Sequence, residues 1–249
     1  MCADEQFPSW WDDEASILML DFGYDEGGEG SKLLVSVQLG TTRRLRRFSR
    51  RWKTLLRDSD VKFWHSIDYD NFSKGVFADL DGKARQKLLG RLARLIHDHM
   101  DVGITAVLDT ALFERETDPR FRNEWGTAFC FAVENVAIYA YEWLLDAGRQ
   151  MEPVNVLIEG GHKNAGQALE HLRKLIGNDK AFLRMKTCGL GGKADNPILQ
   201  AADMLAYSEW KYLTQSGREI FDALHIRGFI RGGSQGIWSA ETSTLADRH

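Results

Sequence analysis

Apolar residues recur along this chain with two alternating periods. The continuous run Ile17-Leu18-Met19-Leu20 stops at Asp21, ahead of Gly23 and the turn Gly27-Gly28-Glu29-Gly30, and predicts a buried strand entering a tight connection. Residues 33–39 predict the next strand, so the chain opens with an antiparallel hairpin. Leu45, Phe48, Trp52 and Leu55 or Leu56 then recur at three- and four-residue spacing, which predicts a helix over 42–57. Leu88, Leu92, Leu95 and Ile96 predict a second helix over 81–99, followed by a strand over 102–108 that closes on Asp109.

Residues 124–145 are apolar on several faces and predict one long, largely buried central helix. A strand over 153–159, a helix over 164–176, a strand over 182–187, a glycine loop at 189–192 and a helix over 198–213 complete the pattern. Alternation of this kind specifies an α/β domain, a mixed sheet with an antiparallel start, flanked by helices. Its expected limits are 15–226, with an acidic arm at 1–14 and a glycine-rich tail at 227–249.

Composition narrows the classes. The 249 residues are 43% hydrophobic and 27% charged, with a net charge of -4, which excludes a uniformly cationic polyanion binder. No apolar run approaches the roughly 20 residues of a membrane span, and the acidic N-terminus lacks the basic head of a signal peptide, so a cytoplasmic protein without a membrane partner is expected. Three scattered cysteines point to neither structural disulfides nor a zinc ribbon. The small net charge hides polarity: residues 1–30 hold nine acids and no Lys or Arg, and residues 41–57 hold eight bases and no acid.

The chemistry lies in the acids. Asp21, Asp109 and Glu159 each end an apolar strand pattern, where open sheets build sites, and Asp203 interrupts the apolar face of the last helix. An unpaired carboxylate buried there is costly, and a divalent cation relieves the cost; clustered hard oxygen ligands select Mg²⁺ or Mn²⁺. Metals so held activate water for in-line attack on a phosphodiester. Each acid also has a plainer role: a turn former at Asp21, an ion pair at Asp203, a helix-entry residue at Glu159 and a cap at Asp109. His65, near Asp68 and Asp70, is a candidate proton carrier. Lys163, after Glu159, is a candidate phosphate contact, and Glu134 on the central helix a candidate supporting group.

The strand-end Leu20-Asp21-Phe22-Gly23, the segment Phe63-Trp64-His65, the alanine- and aromatic-rich middle helix and the late pair Gln200 and Asp203 resemble the domain-of-unknown-function 3800 family over roughly residues 15 to 215. That resemblance implies a ribonuclease H-like fold and nuclease activity, with Gln200 supporting the metal site. The family has Glu directly after its first Asp, where this chain has Phe22.

The basic helix, with Arg43, Arg44, Arg47, Arg50 and Arg51, provides a track for phosphates, or a solvated face neutralised by the acidic arm. The leading expectation is a metal-dependent nuclease acting on DNA or RNA. The alternatives are a catalytically inactive module of the same fold that binds nucleic acid or protein, and a metal-dependent hydrolase of small nucleotides. A protein partner or homo-oligomer is compatible with each.

Overall fold

Lys32–Thr41 shows the governing pattern: Leu33, Val35, Val37 and Leu39 enter one apolar cluster, while Leu34, Ser36 and Gln38 lie buried on the opposite side. A strand buried on both faces needs helices on both faces. In the computed structural model, which describes residues 16–24, 32–71, 74–175 and 184–213, the sheet comprises β1 (Ser16–Tyr24), β2 (Lys32–Thr41), β3 (Val102–Asp109), β4 (Val154–Glu159) and β5 (Met185–Gly191). Their order is β3-β2-β1-β4-β5, antiparallel across β3, β2 and β1 and parallel across β1, β4 and β5. The fold is thus a mixed α/β sheet with an antiparallel start. The predicted arm at 1–14 and tail at 227–249 lie outside the described residues.

One face is covered by α6 (Ala128–Asp146) and α7 (Ala165–Leu175). Val133, Val136, Ala137 and Ala140 of α6 meet Val35, Val37, Val156 and Ile158 of the sheet. By length and composition α6 is the one helix among the described residues that could cross a membrane, but 61% of that stretch is buried inside the protein.

The other face carries α8 (Pro197–Leu213), overlaid by α1 (Thr42–Arg57) and α3 (Gly82–His99), with Phe48, Trp52, Leu92, Leu199, Met204 and Leu157 in a second core cluster. Phe48 and Trp52 are fully buried; truncating either to alanine would cost about 3–5 kcal/mol. Phe48 also neighbours His99 and Arg44 donates to Asp98 O, so the first half of α1 lies beside the end of α3. The short helix α2 (Ser66–Tyr69) lies between α1 and α3 in sequence, and α4 (Thr110–Glu116) and α5 (Pro119–Trp125) follow β3.

Local chemistry sets the helix ends. Asp81 Oδ1 accepts from Ala84 N–H at 2.7 Å, Asp118 Oδ1 from Arg120 N–H at 2.6 Å and Thr127 Oγ1 from Cys130 N–H at 3.4 Å. At the end of α1, Val61 N–H reaches Leu56 O at 2.9 Å and Asp60 N–H reaches Arg57 O at 3.0 Å, the paired bonds of a Schellman motif, with Asp60 left-handed at φ 55°.

Three boundaries differ from the periodicity. The helix predicted over 124–145 is broken at Gly126, whose φ of 82° no helix accepts, and it restarts behind the Thr127 cap. The glycine loop predicted at 189–192 is mostly strand: β5 runs to Gly191, which pairs with Glu159, and glycine there lets β5 lie close to Leu157, whose Cδ2 would be 3.0 Å from an added Cβ. β1 continues three residues past Asp21, since Tyr24 still pairs with Leu33.

Candidate functional site

Two of the predicted acids lie on adjacent strands of the sheet. Asp21 pairs with Ser36, two residues from Gln38, whose Nε2 donates to Ala201 O of α8 at 3.3 Å; position 21 therefore lies on the α8 face of the sheet. On β4, Leu157 belongs to the α8-side cluster, and Glu159 follows it by two residues on that face. The last matched pair of β1 and β4 is Leu20 with Ile158, and positions 21 and 159 are the residues that directly follow it on the two strands. Beyond Leu20, β1 stays paired with β2 through Tyr24, while its matched pairs with β4 end at Leu20 and Ile158.

Glu159 is half-buried, and a Cβ at Gly161 would fall 2.5 Å from its Oε1. Gly161 thus leaves the room that the carboxylate occupies. Gly160 N–H donates to Gly191 O at 2.9 Å, tying this turn to the end of β5 and to the loop that follows. Lys163 is exposed in the same turn, and His162 is stacked on Phe129 with ring centroids 4.0 Å apart. Burial, with Lys163 beside it, lowers the His162 pKa from its ordinary value.

Asp203 is buried on α8 and its charge is already met. Oδ1 accepts from Lys193 Nζ at 3.0 Å and Oδ2 from Ser66 N–H at 2.8 Å. The plainer expectation for Asp203 was an ion pair with a buried cation, and the cation is Lys193. Gln200, one turn earlier, accepts from Trp52 Nε1 at 2.8 Å and Trp64 N–H at 2.9 Å. Its Nε2 donates to Lys193 O at 2.9 Å and Ala194 O at 3.2 Å. Further along the same stripe, Tyr207 donates to Asp70, which Lys211 also pairs. The polar stripe of α8 therefore clamps the segment from Trp64 to Asp70 as well as the loop after β5.

His65 is half-exposed, adjacent to Ser66, with Nδ1 3.2 Å from Asp68 Oδ2. It stands one residue from the backbone donor to Asp203. Two other candidates are placed elsewhere. Asp109 ends β3 at the sheet edge, separated from β1 by β2, and its Oδ1 caps α4 through Leu112 N–H at 2.8 Å. Glu134 is on α6, across the sheet from α8, and its Oε2 meets His171 Nε2 at 2.6 Å, so it supports the α6–α7 contact. Among the described residues no three His, Cys, Asp or Glu side chains cluster as a metal group.

Of the basic helix, Arg43, Arg47, Arg50 and Arg51 are exposed. Arg44 is committed to structure: it pairs with Asp101 and donates to Asp98 O at 3.0 Å, while Arg149 Nη1 binds the second oxygen of Asp101 at 2.9 Å. A cleft of about 430 Å³ opens where the end of α1 meets the loop after β5, lined by Lys53, Arg57, Asp60, Lys62, Asp195 and Gln200.

Lys193 and Arg85 hold structural roles that motif spacing does not mark. Arg85 is only 2% exposed and donates to the carbonyls of Leu80, Tyr69, Asn71 and Phe77. Its position one turn before Leu88 and Leu89, on the apolar stripe of α3, was the available signal.

No protein-family model and no curated protein matches this chain.

Proposed function

We propose that this protein is a divalent-metal-dependent nuclease of ribonuclease H-like fold, related to the domain-of-unknown-function 3800 family, that hydrolyses phosphodiester bonds in nucleic acid. The observation that carries the reading is the order of the strands, with positions 21 and 159 directly after the last matched pair of β1 and β4 and on the face covered by α8. The five-stranded sheet with an antiparallel start and helices on both sides also supports it.

The residues fit a hard cation. Carboxylate oxygens from two separate strands suit Mg²⁺ or Mn²⁺, which are commonly bound through one or two carboxylates plus substrate phosphates. No described residue donates a hydrogen bond to Glu159, and Gly161 leaves room for its carboxylate. Asp21 and Glu159 are thus the ligands of this proposal. Asp203, neutralised by Lys193, acts behind them by fixing Ser66 and the loop after β5. When bound, the metal would polarise a phosphoryl oxygen and acidify a bound water. His65, oriented by Asp68, carries the proton, and the exposed arginines of α1 hold the phosphate backbone.

A second reading rests on Gln200 and Asp203. Both spend their hydrogen bonds on the protein itself, and Phe22 stands where the family has Glu, which suits a module that binds nucleic acid without cutting it. Calorimetric titration with Mn²⁺ separates the two. The nuclease reading expects saturable binding that Asp21→Asn and Glu159→Gln each weaken at least tenfold, with loss of metal-stimulated cleavage of labelled DNA and RNA. Absence of Mn²⁺ binding by the wild type, or binding indifferent to both substitutions, would overturn it and leave the module.

A further inference from the structure

The basic surface extends beyond α1. Along α3, Lys83, Lys87, Arg91 and Arg94 recur at four, four and three residues and are all exposed, while Asp98 is the only acid within the helix. Along α1, Arg43, Arg47 and Arg50 form the corresponding stripe, opposite the buried Leu45, Phe48 and Trp52. None of these seven cations forms an ion pair among the described residues. The two helices pack side by side over one core cluster, so their solvent-facing stripes make two neighbouring cationic ridges, with helix axes roughly 8–10 Å apart.

We infer that the α1–α3 face is a docking surface for double-stranded nucleic acid, gripped through its phosphates without regard to sequence. This rests on the nucleic-acid reading of α1 but not on the metal chemistry. Two observations favour a duplex over a single strand. Phe48 and Trp52, the aromatics of α1, are fully buried, and α3 has no Phe, Tyr or Trp, so the face offers no platform on which unpaired bases stack. Secondly, the charges are carried on two rigid helices. A duplex, stiff over about 150 base pairs, presents its phosphates already arrayed; a single strand would have to be ordered without the stacking that offsets that cost. Guanidinium and ammonium groups aimed at phosphates read no base edges, which makes the contact independent of sequence.

The test is fluorescence anisotropy in EDTA with a labelled DNA duplex of about two helical turns and with oligo(dT) of equal length, over a salt series. The expected result is tighter binding of the duplex, similar affinities for unrelated duplex sequences, and a steep fall with salt. Replacing Lys87, Arg91 and Arg94 together by Glu, all exposed and on α3 alone, should weaken duplex binding at least tenfold. It should also flatten the slope of log K against log salt by about 3. A charge-neutral Lys87→Gln/Arg91→Gln/Arg94→Gln variant should give an intermediate loss, with an unchanged melting temperature showing that the fold is intact. Duplex binding indifferent to both α3 variants, or preference for oligo(dT), would overturn the inference. Because EDTA is present throughout, loss of Mn²⁺ binding would sink the nuclease reading while leaving this face in place.

Discussion

Glu209 concentrates the cost of the polar layer between α8 and the sheet. It is buried, its Oε1 has no hydrogen-bond partner, and burial pushes its carboxyl up to about 7 from an ordinary 4.5. Because the folded pKa is the raised one, the folded state holds the proton more tightly than the unfolded chain. Its contribution is therefore complete below pH 4.5 and is lost as pH rises to about 7. The difference across that window is of the order of 3 kcal/mol. Glu209→Gln keeps the shape and removes the ionisation, so the variant should gain stability over wild type at pH 8 and little or none at pH 4.5. Urea melts of both proteins at the two pH values measure this; an equal difference at both would refute it. Gln38 Oε1 and Asn155 Nδ2, also buried without partners, lie in the same layer. Unlike a carboxyl, neither amide changes charge over this range.

Among the elements, the segment from Tyr69 to Leu80 receives four hydrogen bonds to its carbonyls from a single side chain of α3. Arg85 satisfies four of its carbonyls from a buried position, while Gln200 and Asp203 fix the residues just before it. Arg85→Met keeps much of the apolar stem but strands those carbonyls, and should cost about 3–5 kcal/mol. The decisive readout is hydrogen exchange: amides of residues 74–80 should lose protection well before those of β2 or α6, whereas uniform loss would mean that Arg85 supports the fold generally. Helices α1, α3 and α8 were legible because each has one apolar stripe with bulky residues at three- and four-residue spacing. The breaks were harder to read. Gly126 ends α5 through a positive φ, a choice of backbone that hydrophobic periodicity does not encode, and Gly191 is a strand residue through its pairing with Glu159, a tertiary contact. Asp109 looked like a strand-end acid and is also a helix cap; the two roles share the same local sequence.

For the molecule as a whole, the mixed character and antiparallel start of the sheet could be read from the chain, since strand runs and helix stripes alternate. That Asp21 and Glu159 lie on adjacent strands could not, because pairing of β1 with β4 is a tertiary choice among strands of similar composition. The same limit hid Lys193, which finds Asp203 only once β5 and α8 are packed. The placement of β1 has a kinetic consequence. It lies in the middle of the sheet, and its hairpin partner β2 is made at once, but Ser16 waits for Val154 before its other edge is closed. Contacts so distant in sequence form late, because a long loop must be closed first. During synthesis the apolar run Ile17-Leu18-Met19-Leu20 therefore stays an open template for other strands until the ribosome has released β4. A chain ending at residue 150 should sediment as aggregate under conditions where the full chain stays in the supernatant, and co-expressed chaperone should be retained on the shorter chain alone.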